Sequence, residues 1–312
     1  MAKIELAYSL EYEEVVDAIE ANELWIEGIL KDKRAFVCTG ENCNAGITCR
    51  NMDSYPKTRK MIPNFIMSSR ENEHNPFCNI IKEWKQEVKE KNKNKGEGEL
   101  DNISKNVCFH LERPDNHRKI INTILVKNKS VEELNKEKKM ARERRKSNNS
   151  NFYWLYSLLS YYINAYKENR LDKEKIEIDF GKKKKYAYDL AHLFKRINQQ
   201  NVEDAKKNNH YIYFGRAIIF SRDDGGYDIV FCEKFLNSDK KVKCVVGKVI
   251  IDKCEYGKNN KINLLKKDKN EEKFVYVLSS RNETDNCIFL NIPNLDCIAI
   301  SEIDLDCLEN EN

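Results

Sequence analysis

Residues 211–221 read Tyr-Ile-Tyr-Phe-Gly-Arg-Ala-Ile-Ile-Phe-Ser, residues 222–226 Arg-Asp-Asp-Gly-Gly, and residues 227–233 Tyr-Asp-Ile-Val-Phe-Cys-Glu. Two runs of β-branched and aromatic residues around a Gly-rich turn are the signature of a β-hairpin. A third such run covers 241–251. A Lys/Asn-rich interval at 255–270 has room for one short helix carrying Ile262, Leu264 and Leu265, and two further strand-like runs follow at 274–279 and 287–292. Residues 295–300 continue the last run or form a sixth strand. Three strands, a helix and two more strands is the order of an OB-type five-strand barrel, and a small sandwich or SH3-like barrel fits the same pattern. Closure removes the sheet edges, so a unit of about 90 residues can stand alone. Gly215 and Gly247 interrupt their runs and are expected to mark bends.

The whole chain has 312 residues, enough for two or three domains. Charged residues make up 34% and aromatics 10%, which predicts modest cores joined by solvated segments. Lys and Arg total 55 against 51 Asp and Glu, a net charge of only +4. That balance hides basic runs at 89–95, 136–146 and 182–185 and an acidic tail at 302–312. Such stripes suit an anionic partner, and each is also what a solvated helix face or linker looks like. No apolar stretch reaches the length of a membrane span, and the N-terminus lacks a signal-type apolar core, so a cytoplasmic location is expected. The 11 cysteines are odd in number and the chain is not a small secreted domain, which favours reduced thiols, some of them metal ligands.

Cys38, Cys43, Cys49, His74 and Cys78 crowd into one N-terminal segment, while the other cysteines are scattered. Zinc takes four soft or borderline ligands in a tetrahedron, usually as two short-range pairs. Cys38-x4-Cys43 and His74-x3-Cys78 supply such pairs, with Cys49 able to replace either of the first two. A closed four-ligand site has no open position for water, so the zinc would be structural. Buried free cysteines beside a surface His fit the same residues. Phe36-x-Cys38-x4-Cys43, Pro63-x-Phe65 and His74-x3-Cys78 resemble the N-terminal zinc-finger element of competence CoiA-like bacterial proteins over residues 34–80. The first pair departs from the two-residue gap usual in that family, and the nuclease domain of its longer members is absent. The resemblance implies a metal-stabilised module of the kind that accompanies nucleic-acid proteins.

Ahead of that cluster, Ile4, Leu6 and Tyr8 suggest a strand, and Val15, Val16, Ala18 and Ile19 follow helical spacing. Residues 84–95 read as a helix end running into a loop at 93–101. Val107-Cys-Phe-His is a short strand that puts Cys108 and His110 on one face; both read as packing residues. Ser130-Val-Glu-Glu opens a helix with an N-cap and an acidic first turn. Its exposed cations would be Lys138, Lys139, Arg142, Arg144, Arg145 and Lys146. Residues 151–167 form an apolar helical surface of Phe152, Trp154, Leu155, Leu158, Leu159, Tyr162, Ile163 and Tyr166, and a second helix is expected over 186–200. The two helices would pack as a central helical region.

No phosphate-binding, dinucleotide-binding, zinc-protease or serine-hydrolase motif occurs, and Asp223-Asp224 reads as turn chemistry. The chain therefore reads as a binder rather than an enzyme. Small barrels bind single strands by combining cations with aromatics. The candidate residues are Tyr211, Tyr213, Arg216, Arg222 and Tyr227 from the hairpin, Lys240, Lys241, Lys243 and Lys248 from the third strand, and Arg142, Arg144 and Arg145 from the basic helix.

The sequence thus predicts an α+β protein. It comprises a zinc-finger-like module (1–82), a linker (83–129), a helical region (130–208), an OB-like small β-barrel (209–301) and an acidic tail (302–312). The expected partner is single-stranded DNA or RNA, or a ribonucleoprotein, with structural zinc as cofactor and with neither a small-molecule cofactor nor a membrane involved. The alternatives are an anti-CRISPR-like inhibitor or defence component of phage or mobile-element type that binds a protein or ribonucleoprotein, and a divergent metal-dependent nuclease.

Overall fold

The computed structural model describes residues 4–55, 61–68, 74–80, 107–113, 130–145, 150–181, 184–201 and 210–310. The basic run at 89–95, the helix end at 84–95, the loop at 93–101 and Lys182 and Lys183 lie outside the described residues. The chain is mixed α+β and separates into two units. The first holds 4–55, 61–68, 74–80, 113, 130–145 and 150, and the second holds 107–112 and 151–310.

In the first unit, five antiparallel strands lie in the order β2-β1-β3-β4-β5. They are β1 Leu6–Ser9, β2 Val15–Asp17, β3 Phe36–Cys38, β4 Gly46–Arg50 and β5 Asn64–Met67. Val15 and Val16, whose spacing suggested a helix, pair with Tyr8 and Ala7 as a strand. The helix α1, Ala18–Ile26, starts only after Asp17, whose carboxylate accepts from Ile19 N and Glu20 N while Glu20 reaches back to Asp17 N. That reciprocal cap fixes the boundary, and β-branched valines are at home on the pleat before it. One core contains Ala7, Val16, Leu24, Ile29, Leu30, Phe36, Ile47 and Phe65. A second cluster joins Tyr8, Val15 and Val37 to Leu134 and Ala141 of α2, Val131–Arg144. Helix α2 opens as its sequence predicts, with Ser130 and Glu133 forming a capping box.

The second unit has two sheets. The smaller has the order β7-β6-β8-β9, where β6 is Val107–His110, β7 Ser150–Phe152, β8 Lys175–Asp179 and β9 Lys185–Asp189. Between β7 and β8 runs α3, Leu155–Lys167, with Leu155, Tyr156, Leu158 and Leu159 buried as core residues. The expected helix at 186–200 does not form. Its residues are β9, a single turn α4 (Leu190–Leu193), the strand β10 (Phe194–Arg196) and a 3-10 turn. Tyr186 and Tyr188 pair across from Ile178 and Ile176, and Phe194 pairs with Ile212. One ladder partner for each strand, β8 for β9 and β11 for β10, overrides a helical spacing that only the apolar positions carried.

The second sheet closes on itself. Strand β11 (Tyr211–Ser221) pairs with β12 (Tyr227–Phe231) and with β14 (Glu272–Glu283). Strands β13 (Lys241–Val246) and β15 (Cys287–Asn291) complete the ring in the order β11-β12-β13-β15-β14. All ring pairs are antiparallel except β13 with β15. Ile219, Ile229, Val242, Cys244, Val275, Val277, Ile288 and Leu290 are buried in its core. The turn is the predicted one: Arg222 N donates to Gly226 O over 3.0 Å and Gly225 takes φ +81°, which glycine adopts without strain. The third run stops at Gly247, which sits at the start of helix α5, Lys248–Asp252, rather than bending a strand. Helix α6, Lys258–Lys267, lies between β13 and β14 where a short helix was expected. A sixth strand, β16 (Ile298–Ser301), extends the sheet beside β14, and Tyr156 Oη of α3 accepts from Ile300 N at 2.7 Å. Among the described residues no helix is long and apolar enough to cross a membrane.

Candidate metal centre

Strand β3 delivers Cys38 to its end, and the chain then turns through Gly40 to Cys43. Gly40 N donates to Cys38 Sγ at 3.3 Å, and Cys43 N donates to Gly40 O at 3.3 Å. A second turn carries His74 and Cys78: Asn75 Oδ1 accepts from Phe77 N and Asn75 O from Cys78 N. The two turns are laced together by Asn75 Nδ2 donating to Asn42 O and Glu41 N donating to Asn79 Oδ1, each at 3.2 Å. A Cβ on Gly40 would drive into the sulfur of Cys78. Glycine is therefore required here by close approach rather than by φ.

These turns bring Cys38, Cys43, His74 and Cys78 together, with one donor atom from each all within 4.8 Å of one another. Cys38 Sγ is 3.8 Å from Cys78 Sγ, and His74 Nδ1 is 3.3 Å from Cys43 Sγ and 3.7 Å from Cys78 Sγ. Ligands about 2.0–2.3 Å from a tetrahedral ion stand at such separations from each other. All three cysteines are buried. Burial pushes the Cys38 thiol far up and holds the His74 imidazole below its ordinary value, in the neutral form a ligand needs. A buried trio of protonated thiols around an imidazole satisfies few of its lone pairs; a cation at their centre satisfies all four. The cluster can thus hold a metal ion through these residues. None of the eleven cysteines is joined in a disulfide. Cys49, offered by the sequence as a substitute ligand, lies on β4 with its sulfur 3.8 Å from Ala18 O, outside the four.

Behind the first turn sits a residue the sequence misplaced. Lys138, read as an exposed cation of α2, is 1% exposed. Its ammonium donates to the carbonyls of Cys38 (3.2 Å), Gly40 (3.2 Å) and Cys43 (2.7 Å) and to Asn44 Oδ1 (3.0 Å). Leu134, Lys138, Ala141 and Arg145 recur at spacings of four, three and four, one face of a helix, and that recurrence was the legible signal. Arg145 is likewise not a free cation: it bonds Glu20 at 2.8 Å and the carbonyl of Val15. Arg142 stands 3.9 Å from Glu41, and the side chain of Arg144 lies outside the described residues.

The barrel redistributes the other candidates. Tyr213 and Tyr227 are 1% and 5% exposed, so they fill core space instead of offering a stacking platform. Tyr211 is half-buried under Lys195. Arg216 pairs with Glu272 at 2.9 Å, Arg222 with Asp228 at 2.9 Å, and Lys240 with Glu283 at 2.8 Å. Lys248 belongs to α5, where it pairs with Asp252. Lys241 and Lys243 point outward without an ion-pair partner among the described residues. In register beside Lys243 stand Val230 on β12 and Phe289 on β15, and Phe220 projects from β11 on the same outer face, 42% exposed. The sequence reading missed both phenylalanines. Strict alternation with Ile219, Ile288 and Leu290 was the signal that marks them as outward.

Cys108 and His110 do share a face of β6, but they lie in the second unit, where His110 is held by Asp179 (3.3 Å) and by Asn151 (3.0 Å). Comparison of the chain with protein-family models, with curated proteins and with solved structures finds no match.

Proposed function

We propose that this chain is a non-catalytic binder of single-stranded nucleic acid, built on an OB-like barrel and stiffened elsewhere by structural zinc. One observation carries the reading. The ring closes in the order first-second-third-fifth-fourth strand with a helix between the third and fourth, and its outer wall sets Lys243 in register beside Phe289, with Lys241 two residues along the same strand and Phe220 on the same face across β12. An OB barrel takes oligonucleotides on the face of its second and third strands, and cations interleaved with aromatics are what stacked bases and phosphates require. Zinc is the ion favoured by three thiolates and one imidazole in a closed, buried cluster.

The test is fluorescence anisotropy with labelled single-stranded DNA and RNA oligonucleotides across a salt series. Binding should weaken steeply with salt, and Phe289→Ala should weaken it about 5- to 100-fold, as expected for one lost base stack. Lys241→Glu with Lys243→Glu should reduce the salt slope. Absence of binding to every oligonucleotide at about 50 mM salt, where cationic contacts are strongest, rejects the proposal. The partly exposed Ile218, Val230 and Val245 on the same wall favour a protein partner as the second reading. In that case copurification with the partner would survive nuclease treatment.

A further inference from the structure

We infer that Lys138 couples the metal centre to helix α2, so that loading the ion and seating the helix are one event. The inference rests on the cluster being a metal centre and goes beyond it to a helix whose Lys138 lies 94 to 100 positions away in sequence from the residues it touches.

The charge arithmetic is specific. Three thiolates and a neutral imidazole around a divalent cation leave one surplus negative charge. The only ammonium bonded to this turn among the described residues is that of Lys138. It makes four contacts to the turn, three of them to carbonyls, and those of Cys38 and Cys43 belong to ligand residues themselves. An ammonium withdrawn from water this fully is expensive unless a counter-charge and acceptors compensate it. Carbonyl dipoles supply part of that compensation, and the loaded centre supplies the rest. In return the ammonium holds the carbonyls of the turn in the orientation that aims both sulfurs at the ion, the role usually played by partners behind a ligand set.

Helix α2 has little apolar surface to seat it. Its sequence, Val-Glu-Glu-Leu-Asn-Lys-Glu-Lys-Lys-Met-Ala-Arg-Glu-Arg, is dominated by charge, and only Leu134 and Ala141 enter an apolar cluster. Val131 and Met140 are exposed. Other hydrogen bonds flank Lys138: Tyr8 Oη to Glu137 at 3.1 Å, Asn135 Nδ2 to Asn42 Oδ1 at 3.2 Å, and Arg145 to Glu20 at 2.8 Å and to the carbonyl of Val15. Lys138 makes four of the hydrogen bonds that hold α2 and is 1% exposed.

The experiment is hydrogen–deuterium exchange read by mass spectrometry on the full chain, with Zn2+ bound and after removal by a chelator. Zn2+ stoichiometry is measured on the same samples. With the ion removed, amides of 131–144 should exchange at least about 10-fold faster, together with those of 38–43, while peptides of β11–β15 keep their rates as an internal control. Lys138→Met should weaken Zn2+ affinity about 10- to 100-fold in competition with a chelating dye, and should speed exchange in α2 even when Zn2+ is bound. Lys139→Met, at an exposed neighbour, should do neither. A chain that binds one Zn2+ but shows the same α2 exchange with and without it overturns the coupling and leaves the metal centre standing. So does a Lys138→Met variant with affinity within about 2-fold of the parent. A chain that binds no Zn2+ overturns both.

Discussion

Glu233 lies against the backbone of Gly215: its carboxylate occupies the place where a Cβ on that glycine would go, so a side chain there forces the carboxylate off its partner Arg196. Gly215 stays in register with Val275 of β14, and the strand runs through it without interruption. Glu233 meanwhile accepts from Arg196 at 3.0 Å. Gly215→Ala should therefore destabilise the second unit by about 1–3 kcal/mol, the usual scale for forcing extra volume into a packed site. Urea denaturation measures this, and the loss should shrink in a Glu233→Ala background, where the obstructing carboxylate is gone. Additive losses would contradict the shared-space account.

Burial raises the Glu20 carboxyl to about 7, against the pull of Arg145 beside it. A carboxyl whose folded value exceeds its unfolded one, ordinarily about 4.3, binds its proton more tightly when folded. Its contribution to stability is complete below the unfolded value and is lost as pH rises through about 7. The urea midpoint of the parent chain should fall between pH 5 and pH 8, and Glu20→Gln, which keeps the capping geometry, should flatten that fall. An equally steep fall in the variant would remove Glu20 as its source.

Metal content separates the five N-terminal candidates. Cys38→Ser and Cys78→Ser should lose the bound ion by elemental analysis, while Cys49→Ser should keep full occupancy because its sulfur faces Ala18 O. Gly40→Ala should behave like a ligand loss although it removes no donor, since its methyl group meets the Cys78 sulfur. Chelation of the parent should lower the thermal midpoint, because binding energy at such a site is folding energy.

Lys261 and Asp296 form an ion pair in which the side chains are 3% and 8% exposed, with the ammonium 5.8 Å from the centre of the Trp154 ring. Removing one partner leaves the other charge buried, so Lys261→Ala should cost about 3–5 kcal/mol. Replacing both, Lys261→Met with Asp296→Leu, should cost less than either single change, as read from denaturant midpoints.

By itself the sequence determined the parts whose signals are local. The hairpin around Gly225, the helix cap at Ser130, the buried face of α3 and the pairs Cys38 with Cys43 and His74 with Cys78 all depend on neighbours within a turn or two. The strand count of the barrel followed from composition and alternation for the same reason. Tertiary structure decided what lay across the sheet. Residues 186–200 have an apolar spacing that suits a helix, and only the ladders offered by β8 and β11 made strands of their ends. Alternation puts Tyr213 and Phe220 on opposite faces of one strand, but which face is enclosed is settled only once β11 meets β12 and β14. Lys138 is the same lesson in electrostatics. A lysine in a charged helix is a solvated cation until a distant turn presents carbonyls to it, and that encounter is a property of the folded chain.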